Sequence, residues 1–377
     1  MKAQTILPRA PLCGVSPLPR HAKLFLMTQQ PRPRPLPMAL FAAASAAPLL
    51  LLVLAVMGSG AAAVGAFGYM ALLSVLLDRL SLHVAGDAPE GSEFPAADPL
   101  LVVLGAGHLL ILPMVTFAVA GQSGLPPWAR VLLVMAAGLW LGQVGHPAAH
   151  ELIHRGRRGL TRLGVAMYCA MLFGHHASAH RLVHHRHVAT RDDPSTARSG
   201  EGFYRYALRA WTVSFRKGMA AESQLRKGRG LHPYVVYVGA AAVALVLAHL
   251  LAGWAGVAVW VGLSLHAQTQ ILLSDYVQHY GLQRRIVDGR PEPVGPQHSW
   301  NTPHLFSSAL MLNAPRHSDH HAHPARPYPA LRLPEAGDAP RLPWPMPVAC
   351  VLALAPGPWR RAIRPHLARW KAPLAAT

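Results

Sequence analysis

Apolar residues in this chain come in long uninterrupted runs rather than in the spaced pattern of a half-buried helix. Met38 to Met57 carries no charge over about 20 residues, enough for a helix to cross the hydrocarbon core of a bilayer. Gly58-Ser59-Gly60 interrupts the run, and Ala61 to Leu77 forms a second, ending at Asp78 and Arg79. An acidic stretch (Asp87, Glu90, Glu93, Asp98) precedes a third, Pro99 to Val119. Gly121 to Pro127 reads as a short turn, and Trp128 to Gly145 as a fourth run that leads directly into histidines. Tyr234 to Trp254 and Ala255 to Leu273 are the fifth and sixth, divided near Gly253-Trp254-Ala255-Gly256. Runs of this length and number predict an all-α integral membrane protein with about six transmembrane helices. Trp344 to Pro356 is apolar but too short to span; it predicts an interfacial segment, with Trp359, Arg360, Arg361 and Arg364 at headgroup level. The small residues Gly58, Gly60, Ala61, Ala62, Ala63, Gly65 and Gly68 fit close helix packing, or the wall of a substrate tunnel.

Composition supports this picture. Of 377 residues, 52% are hydrophobic and only 14% charged, against about 25% charged in soluble domains. That excludes an ordinary cytosolic enzyme, and the apolar content excludes a disordered chain. The net charge is +19, and its placement decides its meaning. Most arginines lie between Arg155 and Arg229 or near the termini, while the turns at 58–60, 121–127 and 253–256 carry no Lys or Arg. An even number of spans with basic segments on one side obeys the positive-inside rule, so both termini and the histidines are expected in the cytosol. A nucleic-acid partner is not expected, because the basic residues are not interleaved with aromatics on a soluble face. Residues 1–37 are basic and Pro-rich and lack the apolar core of a cleavable signal. They read as a disordered tail, with translation start at Met27 or Met38 as a variant of that reading, before a membrane domain at 38–377. Cys13, Cys169 and Cys350 are odd in number and far apart, which gives no disulfide framework and no thiolate metal site.

The 23 histidines change the picture from a membrane protein to a metalloprotein. His150-Glu-Leu-Ile-His154 puts two imidazoles on one helix face. Alone it would suggest a zinc protease with Glu151 as base. His180-Arg-Leu-Val-His184-His185 repeats the spacing, with 180 and 184 expected on a common face. His317-Ser-Asp-His320-His321 is a third cluster, and His279 stands at the inner end of the sixth run. About nine imidazoles without a thiolate suggest two ions, since one ion takes four to six ligands. Imidazole suits Zn, Cu, Fe and Ni alike, so spacing leaves the metal open. Two redox-active irons would suit O₂ activation at an apolar substrate drawn from the lipid. A transporter would instead want ionisable residues at mid-membrane, where this sequence has few.

The sequence resembles the integral-membrane alkane 1-monooxygenase family within the histidine-box superfamily of membrane desaturases and hydroxylases. The resemblance rests on HELIHR at 150–155, HRLVHHRHVATRDDPSTAR at 180–198, DYVQHYGL at 275–282, NTPHLFSSALMLNAPRHSDHHAHPARPYPAL at 301–331 and the LAPGPWRRAIRP ending at 354–365. It implies that His150, His154, His180, His184, His185, His279, His317, His320 and His321 ligate two iron ions at the cytosolic ends of six helices. It also implies an O₂-dependent monooxygenase of the bacterial inner membrane that hydroxylates the terminal carbon of alkanes or similar hydrocarbons taken from the lipid phase. Electrons would come from a rubredoxin and its NAD(P)H-dependent reductase. An aromatic-methyl or terpene hydroxylase, or a fatty-acyl desaturase, is the alternative. Glu151, Asp192, Asp193, Asp275 and Asp319 are candidate carboxylate partners for the ligands, or else caps and solvated charges. His175 and His304 match family positions as structural residues or as ligand supports. The chain departs from the family pattern at Ala179 and Gln278, where acidic residues are usual, at Asp275, where Asn is usual, and at Ala314-Pro315. Gln278 matches relatives that oxidise aromatic methyl groups.

Overall fold

The computed structural model describes residues 35–81, 84–121 and 123–371. The segment 1–34 therefore lies outside the described residues, and with it nearly all of the expected tail. The apolar runs are helices: α1 is Met38–Val56, α2 Gly60–Leu80, α3 Ala97–Ala120 and α4 Pro127–Ile153. The amphipathic helix α5 (Arg158–Ala170), the largely buried α6 (residues 176–187) and the amphipathic α7 (Phe203–Arg226) follow. Next comes α8, Pro233–His279, 47 residues long. The short α9 (Leu305–Leu310) and α10 (His317–Ala322) precede α11 (Met346–Ala353) and α12 (Pro356–Lys371).

Among the described residues, five helices are long and apolar enough to cross a membrane. The longest counts twice, because Ala252 and Gly253 leave helical geometry and Gly253 takes φ +60°, which glycine adopts without steric cost. The described residues therefore make six passages, and the fold is that of an all-α multi-pass membrane protein. Leu50, Leu110, Val131, Val243 and Leu250 stay exposed along these helices. In water so large an apolar surface would drive association; in lipid it is the required exterior.

Three of the helices contain a π-turn, at Tyr69–Leu73, Leu141–Gly145 and His180–His184. In α4 the cause is readable: the Pro147 ring would crowd the carbonyl four residues earlier, and the widened turn before it makes room. The ends of α4, α6, α8 and α10 converge on one side, which is where the histidines lie.

The C-terminal segment differs from expectation. Trp359 is fully buried, with its ring against Tyr276, Tyr280 and Trp344. Its indole packs against the end of α8 and is covered by protein on all sides. The small residues of α2 do not form a tunnel wall: a side chain at Gly60 would strike Trp128, and Ala62, Ala63 and Ala66 are buried in helix contacts.

Candidate metal centre

Nine of the histidines between 150 and 321 gather into two groups, and within each group the ligand atoms lie within 4.8 Å of one another. His150, His154, His180, His185 and His320 form the first; His184, His279, His317 and His321 form the second. All nine histidines singled out in the sequence are thus brought together. Their partition is set by backbone geometry. The π-turn at His180–His184 pairs residues five apart, so His185 Nε2 lies 2.9 Å from His180 Nε2 and His184 is turned to the other group. The expected common face of 180 and 184 is lost for this reason. In α10 the ordinary helical spacing puts His317 and His321 in one group, with Nε2 atoms 3.1 Å apart, while His320 faces His150 at 2.7 Å.

These contacts are too crowded to be a simple hydrogen-bond network. His320 Nε2 lies 3.2 Å from His185 Nε2 as well, and His279 Nε2 lies 3.0 Å from His317 Nε2. Neutral imidazoles cannot all donate to one another through the same nitrogen. The spacing does match adjacent corners of a coordination shell: bonds of about 2.1 Å at right angles separate donor nitrogens by roughly 3.0 Å. His154 Nε2 and His184 Nε2 are also buried without a partner among the described residues. The residues therefore fit two metal ions.

The electrostatics favour lone pairs over protons. Burial, reinforced by Arg181 and Arg155, holds His154 down at about 3. Burial and neighbouring imidazoles keep His180, His185, His317, His320 and His321 well below the ordinary histidine value. His184 goes the other way. Burial alone would lower it, but the Asp193 carboxylate, 2.8 Å from Nδ1, outweighs burial. That is the carboxylate–imidazole pairing typical behind a metal ligand.

The remaining candidates separate by contact. Asp275 is buried within Coulombic reach of His184 and Asp193. Asp192 is on the surface beside Lys217. Asp319 holds Arg326 and the backbone N–H of Arg332, which folds the following loop over the site. Glu151 pairs with Arg155 at 3.3 Å and accepts from the Tyr328 N–H at 3.1 Å, so it is committed to structure and not to a hydrolytic water. His175 packs between Phe173, Trp211 and Phe215, and His304 stands at the start of α9; neither belongs to the two histidine groups.

His146 and His176 escaped the sequence reading. His146 Nδ1 lies 3.0 Å from the Tyr168 hydroxyl, and its ring centroid is 5.8 Å from that of His150. The signal was present, since His146 continues the spacing of His150 and His154 by one more turn. Two departures from the family pattern also meet: Gln278 Nε2 donates to the Ala314 carbonyl at 3.1 Å while its Oε1 accepts from Ser274 at 3.0 Å. A carboxylate at 278 would set two acceptors against each other there.

Two cavities lie beside this centre. A narrow one is walled by His150, His317, His320, Ser274 and Gln278. A second, of about 460 Å³, shares Ser274 and runs between α2, α4, α8 and α11. It is lined by Met70, Ala71 and Val75 of α2, beyond the glycines considered for a tunnel.

Residues 126–346 match the family model described as fatty acid desaturase. Alkane 1-monooxygenase 1 of Pseudomonas aeruginosa is 30% identical over 325 residues, 81% of each chain. Alkane 1-monooxygenase of Pseudomonas putida is 34% identical over 255 residues, covering 63% of this chain and 61% of that one. Alkane 1-monooxygenase 2 of Alcanivorax borkumensis is 30% identical over 275 residues, 71% and 69%. With the fold, the two histidine groups and these relatives in agreement, the chain belongs to the alkane 1-monooxygenase family of membrane oxidoreductases, within the wider fatty acid desaturase family.

Proposed function

We propose that His150, His154, His180, His185 and His320 hold one iron ion, and that His184, His279, His317 and His321 hold a second. The chain then hydroxylates the terminal carbon of an alkane or similar hydrocarbon. The reaction balances as R–H + O₂ + 2 e⁻ + 2 H⁺ → R–OH + H₂O. Rubredoxin, reduced by an NAD(P)H-dependent reductase, is the proposed electron donor. The membrane domain spans 38–377 behind a basic tail at 1–37, in a bacterial inner membrane with both ends and the histidines cytosolic.

One observation carries this reading: two convergent imidazole groups border a narrow cleft walled by His150, His317 and His320, and a larger cavity between membrane helices shares Ser274 with that cleft. Bound iron supplies the reduction of O₂ and the oxidation of the C–H bond. The protein's residues supply the rest. The cavity wall accepts a hydrocarbon directly from lipid and aligns its end with Ser274 and Gln278. Packing around the histidines keeps bulk water from the reacting carbon. Asp193 keeps the His184 Nδ1 proton in place so that Nε2 faces inward.

The test is metal content and product from the purified full chain. About two irons per chain, with octane converted to octan-1-ol when rubredoxin and reductase are added, is the expected outcome. Zinc in place of iron, or no oxygenated product from octane, hexadecane or xylene, would overturn it.

A further inference from the structure

The 460 Å³ cavity is not a plain hydrocarbon sleeve. Near the middle of the second half of α8, between Gly253 and His279, it is lined by His266, Thr269 and Gln270, with Gln143 of α4 beside them. An ionisable residue at such depth is costly, and it persists where something uses it. Two glycines make its presence there feasible. A side chain at Gly138 would collide with the His266 ring, and one at Gly142 would strike Gln270. The α4 glycines, one turn apart, thus form a notch that admits two polar residues also one turn apart on α8.

Part of this belt is satisfied internally. Thr269 Oγ1 donates to its own helix at Leu265 (2.8 Å), and Gln270 Nε2 donates to the Gly138 carbonyl (2.7 Å). Gln143 Nε2 reaches Gln270 Oε1 only at 3.5 Å, and Gln143 Oε1 is buried without a partner among the described residues. Turning the amide leaves one polar end unpaired either way. His266 is only partly covered and is in no side-chain hydrogen bond among the described residues. Against an alkane these groups would face hydrocarbon and incur the desolvation cost of unpaired polar atoms. Against an oxygen-bearing chain they gain a partner.

We propose that the substrate carries one hydrogen-bonding oxygen, as a hydroxyl or carbonyl, remote from the carbon presented to the histidines, and that His266 and Gln143 receive it. The proposal rests on the oxygenase reading above and narrows its substrate class to oxygen-functionalised hydrocarbons. A hydroxyl donates to Gln143 Oε1 or to an imidazole nitrogen; a carbonyl accepts from the imidazole N–H. The span is set by the helices. His266 precedes His279 by thirteen residues, or about 20 Å of helix, and Gln143 precedes His150 by seven, or about 10 Å. The oxygen therefore lies between about 10 and 20 Å from the reacting carbon, which selects a chain of medium length.

The experiment compares dodecane with dodecan-1-ol on the iron-loaded full chain, reading dodecan-1-ol and dodecane-1,12-diol as products. The expected wild-type preference in kcat/KM is roughly threefold to tenfold for the alcohol, the size of one net hydrogen bond, and is carried mainly by KM. His266→Leu should bring that ratio close to one, and His266→Gln should restore part of it. If His266→Leu does not fold, Gln143→Leu reads the same ratio. A second measurement needs no turnover: dodecan-1-ol should raise the melting temperature of the wild type more than dodecane does, and His266→Leu should remove the difference. Equal kinetics and equal melting shifts for the two compounds in the wild type would overturn the proposal. No product from either compound, with the alcohol-specific melting shift intact, would overturn the oxygenase reading and support the polar contact.

Discussion

His184 and His185 are adjacent in sequence yet serve different groups, and the surroundings of those groups differ more than their ligand atoms do. Behind His184, Asp193 accepts from Nδ1, and Asp193 is itself held by Thr196 Oγ1 at 2.7 Å and the Ser195 N–H at 3.0 Å. In the five-histidine group no carboxylate bonds an imidazole among the described residues; the Nδ1 atoms of His180 and His185 are buried without a partner, as is that of His321 in the other group. The charges acting on His154 there are guanidiniums, Arg181 and Arg155. A carboxylate behind an imidazole raises its basicity and offsets the charge of a cation; a guanidinium opposes both. The four-histidine group has a carboxylate behind one of its imidazoles, and the five-histidine group has one imidazole more. The two proposed ions should therefore differ in affinity and in what removes them.

The largest test of that contrast is His320→Ala, which deletes the imidazole touching both His150 and His185. Iron should fall from about two to about one per chain, and oxygenation should drop by more than the ~100-fold that loss of a supporting residue can cause. Metal analysis after desalting checks it; retention of both ions would break the contrast. Asp193→Asn comes next. It keeps the shape but removes the charge behind His184, and affinity in the four-histidine group should fall about 10–100-fold, with the other group little changed. Chelator titration followed by spectroscopy would show whether one ion or both respond.

A smaller effect is expected one step further out. Arg209 donates to the Pro194 and Thr196 carbonyls and to Glu201, and so pins the loop that carries Asp193. Arg209→Ala should weaken the four-histidine site by roughly threefold to tenfold, the size of a lost hydrogen bond. An equal loss from both groups would mean that the loop supports the whole centre instead.

The smallest effect is a pH dependence. Burial pushes the Glu201 carboxyl up, but hydrogen bonds from Arg209 and the Arg198 N–H outweigh it and hold it below its ordinary 4.5. Because the folded value is the depressed one, its contribution is complete at neutral pH and fades as the pH falls below about 4.5. The pair is partly solvated, so Glu201→Gln should cost less than about 1 kcal/mol at neutral pH and flatten the acid limb of a melting curve. An unchanged acid limb would remove Glu201 from the account.

Uncharged runs of bilayer length determined the six passages without any help from packing, because lipid imposes one requirement on every span. The clustering of histidines pointed to a site able to hold metal and to the imidazoles that could build it, since ordinary helical spacing brings residues such as His150 and His154 to one face. The partition of those imidazoles was not legible. It depends on a π-turn at 180–184, and a five-residue repeat of hydrogen bonds leaves no mark in composition. Asp193 could not be told from its neighbour Asp192 in the sequence; the loop fold buries one against His184 and leaves the other beside Lys217. Trp359 looked interfacial because arginines follow it, and only the packing of α12 against the end of α8 buries it. The polar notch of Gly138, Gly142, His266 and Gln270 joins helices more than a hundred residues apart. Local preference and solvent fix what each segment is; which side chains meet across helices is decided only when the whole chain packs, because those contacts depend on register and close approach.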